Sequence, residues 1–97
     1  MFERNYEVGA VYVYNYGYSM TLYKFYRIER MTGKRIFIQE FNTEVVRAED
    51  CFRPYVMPDF NRPKGKLVRK SITSYIGSLW DGTPRQEDHL DWQKNCA

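Results

Sequence analysis

Apolar and polar positions alternate through the first half of the chain, and this alternation predicts β-strands. Over residues 8–16 valines alternate with tyrosines, so an extended chain places Val11 and Val13 on the face opposite the tyrosines. A second strand is predicted over 21–30, where the alternation is imperfect. That irregularity indicates either a β-bulge or a strand that is covered on both faces.

The next segments extend the pattern to a three-stranded meander followed by less regular chain. Residues 31–34 have the composition of a hairpin loop, and a third strand is predicted over 35–41, with a short one over 43–47. Prolines 54, 58 and 63 disfavour both a helix and a central strand, so 49–65 is predicted to be an ordered loop. Residues 66–76 are predicted to form one strand, or two that break near Ser71.

The chain end carries a helix-start signature. Thr83 is a suitable N-cap, Pro84 suits the first helical position, and Gln86 completes a capping box. We therefore expect residues 83–97 to form a short helix or a loosely docked acidic tail. The fold class predicted for the single domain, residues 1–97, is mainly β: a small curled antiparallel sheet or partly open barrel with a short C-terminal helix.

Composition adds an unusual aromatic content to an otherwise ordinary globular profile. Of 97 residues 43% are hydrophobic and 28% charged, but 18% are aromatic, including nine tyrosines. The net charge of +3 is unevenly placed, with a basic excess between residues 53 and 72 and an acidic excess between 81 and 92. These segments either bind a polyanion or pair with one another.

The sequence offers little for catalysis or for cofactor binding. His89 is the single histidine, and no glycine-rich phosphate loop or metal-ligand spacing is present. Cys51 and Cys96 fit neither a disulfide framework nor a metal site, so both are expected to be free thiols in a reducing compartment. No signal peptide or membrane span is recognised. We expect no enzyme activity, cofactor, metal or membrane partner, and a cytoplasmic location.

The tyrosine row is the strongest candidate for a functional surface. Tyrosine supplies a rigid ring with a polar tip, suited either to a protein interface or to stacking on bases. We expect the tyrosine face to be at least half exposed, above an inner face formed by Val11, Val13, Ile28, Ile36, Ile38 and Trp80. The predicted partner-binding residues are Tyr12, Tyr14, Tyr16, Tyr18, Tyr23, Lys66, Arg69 and Lys70. Further cations available to a nucleic acid are Lys24, Arg27, Lys34, Arg35 and Lys64.

The order of several short motifs resembles that of small accessory proteins of bacteriophages and other mobile elements. The stretches are "NYGYSMTLYKFYRIERMTGKRIFIQEF", "VMPD", "GKLVRKSI" and "SLWDGTPRQEDHLDW". The matching positions are Gly17, Tyr18, Thr21, Phe25, Tyr26, Ile28, Met57, Pro58, Arg69, Lys70 and Trp80 to Pro84. The acidic "QEDHLD" departs from that pattern.

This resemblance implies a setting rather than particular site residues. Such proteins bind host machinery, so the expected partner is a host protein or nucleoprotein complex, with anti-CRISPR-like inhibition in the host cytoplasm as the sharpest form. The alternative is a module that binds single-stranded nucleic acid through aromatic stacking and a basic strand. Self-association through an exposed edge strand is a third possibility.

Overall fold

One antiparallel sheet makes up the described part of the chain. The computed structural model describes residues 6–17, 21–48 and 53–88. The six strands pair in the order β5-β1-β2-β3-β4-β6, and the sheet is curled. Their bounds are β1 Val11–Asn15, β2 Tyr23–Thr32, β3 Arg35–Ala48, β4 Pro54–Ser71, β5 Ser78–Leu79 and β6 Arg85–Gln86. No helix occurs in the described residues, and so none that could span a membrane. The predicted mainly β class is confirmed.

The meander of β1, β2 and β3 forms where the alternation predicts it. A two-residue loop, Gly33-Lys34, joins β2 to β3, and Gly33 has a φ of 47°, in the left-handed region that glycine adopts readily. The pairing of β2 with β3 shifts register between Ile28 and Arg30. Phe25 and Ile28 are both buried, on opposite faces of β2, so the two alternatives open for this strand, a bulge and coverage of both faces, are both present.

The proline-rich segment forms a strand, and its prediction as a loop was wrong for residues 54–65. Strand β4 runs for 18 residues beside the 14-residue β3. Register places Pro58 opposite Thr43 and Pro63 opposite Phe41, so the residues between the two prolines bulge out of the ladder. Strand β6 pairs with β4 only near its start. Prolines are tolerated here because β4 is mostly an edge strand with bulges at the prolines.

The segment after β4 joins the two edges of the curled sheet. Strand β5 pairs with β1 and β6 pairs with β4, although only five residues separate β5 from β6. Beyond β6, the Asp88 amide donates to the Thr21 carbonyl (2.9 Å), and the buried Glu87 carboxylate accepts the Tyr23 amide (2.8 Å). These bonds hold residues 87 and 88 against the start of β2.

A helix does not start at Thr83, contrary to the capping signature. The Thr83 amide and hydroxyl both donate to Asp81 Oδ1, at 3.1 and 2.6 Å, and the chain then continues into β6. Asp81 thus forms a local turn that competes with helix capping, using the same residue types. Residues 89–97, the rest of the predicted helix, lie outside the described residues, as do Cys51 and Cys96.

Buried side chains form two clusters on opposite faces of the meander. Val13, Phe25 and Val56 form one, with Trp80 half-buried against it. The other is rich in isoleucine and contains Ile28, Ile36, Ile38, Ile72 and Ile76 with Tyr6 and Tyr12. The predicted single inner face is therefore wrong: Val13 and Trp80 lie on one side, while the isoleucines lie on the tyrosine side. Both faces of β1 are covered.

Candidate functional site

A groove of about 530 Å³ lies on the tyrosine side of the sheet, beside the isoleucine cluster. Strands β2 and β3 provide its floor, and β1 and β4 its walls, because the sheet order places them so. Its lining combines rings, cations and one carboxylate: Tyr14, Tyr26, Tyr75, Lys64, Lys66, Lys70 and Glu40, with Ile38, Val68, Ile76 and Gly65 between them.

A second hollow, of about 160 Å³, continues the groove. Glu40 and Lys64 line both hollows, so the two form one elongated depression. The smaller hollow adds the ring of Tyr16 and the cation of Lys24, with Glu87 at its far side. Tyr23 also lines it, but its side chain packs against the cluster of Val13, Phe25 and Val56. We call the combined depression the tyrosine–lysine groove.

Strand register explains how residues distant in sequence meet in this groove. Tyr12 pairs with Tyr26, Tyr26 with Glu40, and Glu40 with Lys64, which makes one row across four strands. Side chains of a strand alternate between faces, so Lys64, Lys66 and Lys70 of β4 share the face of that row. The groove is therefore a direct product of pairing in the meander and β4.

The wall that carries Tyr75 is fixed by one buried tyrosine. The Tyr6 hydroxyl donates to the Ser74 carbonyl (2.6 Å) and accepts the Ile76 amide (3.3 Å). The Tyr6 ring also packs edge-on against Tyr12, with ring centroids 5.0 Å apart. Tyr75 is thereby held next to Tyr14, their ring centroids 6.0 Å apart.

Positive charge predominates along the groove. Lys64 Nζ lies 3.7 Å from Glu40 Oε2, and Lys24 Nζ lies 4.8 Å from the centre of the exposed Tyr16 ring. Lys66 and Lys70 are exposed and form no ion pair with any described residue. Two ammonium groups are thus available to an anion without breaking an existing pair.

Two tyrosine hydroxyls in the groove are held in their neutral form. Burial raises the pKa of Tyr26, and the nearby Glu40 carboxylate raises it further. Burial also raises the pKa of Tyr16, with Glu87 and then Glu40 adding to the effect. Tyrosine is neutral at pH 7 at its ordinary pKa of about 10, and the upward shifts extend the donor form of both hydroxyls to higher pH.

Five of the eight predicted partner-binding residues line the groove: Tyr14, Tyr16, Tyr23, Lys66 and Lys70. Tyr12 does not, because it is only 5% exposed and belongs to the isoleucine cluster. Arg69 lies on the opposite face of β4, opposite Phe37. Tyr18 lies outside the described residues. The expectation that the tyrosine face is at least half exposed was wrong: Tyr12 is buried, Tyr14 is half-buried and Tyr16 is 46% exposed.

The remaining cations named from the sequence divide between the two faces. Lys24 and Lys64 line the groove. Arg27 does not, because its guanidinium stacks on the Phe41 ring, 4.7 Å from the ring centre. Lys34 and Arg35, at the β2–β3 hairpin, are not among the lining residues.

The lining residues that the sequence did not indicate include Tyr26, Glu40 and Tyr75. Counting from the hairpin at Gly33 would place Tyr26 opposite Phe41, and only the register shift between Ile28 and Arg30 brings Tyr26 opposite Glu40. Tyr75 lies in a loop after β4, and nothing in its local pattern indicates that it meets Tyr14.

Comparison with protein-family models, with curated proteins and with solved structures finds no match to this chain. Within the described residues, no group of three or more His, Cys, Asp or Glu side chains is placed to hold a metal ion.

Proposed function

We propose that the protein is a non-enzymatic binding protein that holds single-stranded nucleic acid in the tyrosine–lysine groove. The observation that carries the proposal is the combination, in one depression, of four tyrosine rings, those of Tyr14, Tyr16, Tyr26 and Tyr75, with four lysines. Binders of single strands use this combination, because bases stack on aromatic rings while cations follow the phosphates. The proposal places the protein in the cytoplasm, of a host cell if it is phage-encoded.

The rings suit stacking because they are held by the fold yet not enclosed by it. Tyr14 and Tyr26 are half-buried and stand on neighbouring strands, while Tyr16 is exposed. A ring already held by packing loses little conformational entropy when a base stacks on it. Each stacked base contributes about 1–3 kcal/mol in such proteins.

The lysines supply the electrostatic part of binding. Lys66 and Lys70 stand two residues either side of Val68 on β4, so their ammonium groups follow one wall of the groove. Each phosphate that is neutralised on a single strand releases counterions. It steepens the fall of the logarithm of the affinity with the logarithm of the salt concentration, the salt slope, by about 0.7. If about three lysines contact phosphates, the affinity should fall roughly twenty-fold when the salt concentration is raised from about 50 to about 200 mM.

Fluorescence anisotropy with a labelled single-stranded oligonucleotide at these two salt concentrations tests the proposal. We expect Lys66→Ala combined with Lys70→Ala to weaken binding and to lower the salt slope by about 1.4, and Tyr14→Ala to weaken binding at both concentrations. Arg69→Ala is the matched control, because Arg69 lies between the two lysines but faces away. Absence of oligonucleotide binding, or equal losses from Arg69→Ala, would overturn the proposal.

A second candidate function is inhibition of a host protein or nucleoprotein, as the resemblance to phage accessory proteins implies. The observation that favours it is the free edge of β4. Strand β3 pairs with one edge of β4 along its length, but beyond Val56 no described strand pairs with the other edge, and Leu67 is exposed there. Unpaired edges accept an extended segment of a partner by β-strand addition. This candidate predicts that the affinity for the target changes little with salt concentration. Leu67→Asp should abolish binding to the target, whereas the control variant Lys34→Asp should bind it as the unmodified protein does.

A further inference from the structure

The middle of the groove contains a carboxylate where a purely phosphate-binding surface would carry a cation. Glu40 lies on β3, where the two hollows meet, between Tyr26 on β2 and Lys64 on β4. Its side chain is 21% exposed. A negative charge at this point repels phosphate, and its oxygens can accept hydrogen bonds from the amino and ring N–H groups of a base.

The Glu40 carboxylate retains most of its capacity to accept hydrogen bonds. Its one ion pair with a described residue is the contact of Oε2 with Lys64 Nζ at 3.7 Å, which is longer than a hydrogen bond. No described side chain or amide donates a hydrogen bond to its oxygens. An ionised carboxylate accepts at two oxygens side by side, and so binds best to two parallel N–H donors.

Among the common bases, guanine alone presents two adjacent donors on its Watson–Crick edge, N1–H and the N2 amino group. Adenine and cytosine present one amino donor beside a ring acceptor, which a carboxylate repels. Uracil and thymine present one N–H between two carbonyl groups, which also face the carboxylate unfavourably. Reading of unpaired bases on this edge, with stacking on an aromatic ring, is a common mode of single-strand recognition.

We propose that the groove selects guanine, with the Glu40 carboxylate accepting from N1–H and N2–H while the base stacks on a neighbouring tyrosine ring. Tyr26 is the nearest ring by register, since it pairs directly with Glu40. This inference rests on the proposed binding of single strands, and it adds the base that the central position takes. Two good hydrogen bonds to a base edge discriminate against other bases by about 5- to 150-fold.

The test compares labelled oligonucleotides of about twelve uridines with the same strands carrying one central guanosine, adenosine or cytidine. The expected result is about ten-fold or greater preference for the guanosine strand in the unmodified protein. Glu40→Gln replaces one acceptor by a donor and should abolish that preference, so that the guanosine, adenosine and cytidine strands bind with similar affinity. Glu44→Gln is the matched control, because Glu44 lies on the same strand, exposed and outside the groove.

The outcomes separate this inference from the proposed function. No binding of any strand overturns the proposed function and the inference together. Equal binding of all four strands, or a guanosine preference that survives in Glu40→Gln, overturns the guanine inference and leaves single-strand binding standing. Competition by free guanosine monophosphate at concentrations similar to those of the strand would assign the site to a free nucleotide instead.

Discussion

Gly77 offers the sharpest test of how the groove wall is built. It has a φ of 119°, and a Cβ at this position would overlap the Val13 carbonyl oxygen, lie 2.6 Å from the carbonyl carbon and 3.0 Å from the Tyr14 amide nitrogen. The segment that carries Tyr75 and Ile76 can therefore approach β1 only because residue 77 has no side chain.

The cost of Gly77→Ala follows from two terms of the folded state and one of the unfolded chain. The left-handed backbone costs about 1–3 kcal/mol for alanine, and overlap with a fixed backbone costs about as much as overpacking, about 1–3 kcal/mol. Alanine also restricts the unfolded chain, which offsets about 0.4–1 kcal/mol. The expected net loss of unfolding free energy is about 3 kcal/mol, a large part of the about 5–15 kcal/mol typical of a domain.

Urea denaturation followed by tryptophan fluorescence measures this loss as a fall in midpoint of about 1–3 M. Gly82→Ala is the control, because Gly82 also has a positive φ, 88°, but a Cβ there meets nothing within 4 Å. It should lose about 1 kcal/mol, because the left-handed backbone costs about 1–2 kcal/mol and restriction of the unfolded chain offsets part of that cost. Equal midpoints for the two variants would refute the argument from close approach.

Two further predictions concern the chain that follows β5. Glu87→Ala should lower the unfolding free energy by about 1–3 kcal/mol in urea titrations, because the Tyr23 amide loses its acceptor, while Glu87→Gln keeps a carbonyl oxygen there and loses less. Hydrogen bonds from Thr83, first the hydroxyl and then the amide, lower the pKa of Asp81. A lowered pKa gives stability that is present above about pH 4 and is lost as the pH falls through the folded-state pKa. Thr83→Val removes the hydroxyl donor, so the pKa of Asp81 should move back toward its usual value. Carboxyl NMR shifts recorded against pH measure this change.

The sequence pattern predicts the meander well because the features that determine its strands and turn act over a few residues. The alternation of Val13 with the tyrosines and the glycine at position 33 act over a few residues, and strand and turn preferences decide structure at that range. The irregular pattern of β2 left a bulge and coverage of both faces as alternatives, and the strand has both, with the bulge after Ile28.

Predictions from the sequence were wrong where two local structures fit the pattern equally well and tertiary contacts select one of them. Pro58 and Pro63 exclude a regular central strand, but they are compatible with the bulged edge strand that the structure contains. The Asp81–Thr83 turn uses the same groups that an N-cap uses, so the sequence signature cannot choose between them. Tyr75 reaches the groove through a loop whose position depends on Tyr6, 69 residues earlier.

The curl of the sheet gives the tyrosines of the row different degrees of burial. Tyr12 is buried against the isoleucines, Tyr14 is half-buried beside Tyr75, and Tyr16 is exposed beside Lys24, so one strand contributes in turn to the core and to the groove. Packing at Tyr12 fixes β1, and β1 fixes the ring of Tyr14 at the groove wall. Substitutions that loosen the core near Tyr12 should therefore weaken binding without touching a ligand, whereas Tyr16→Ala should weaken binding with little loss of stability.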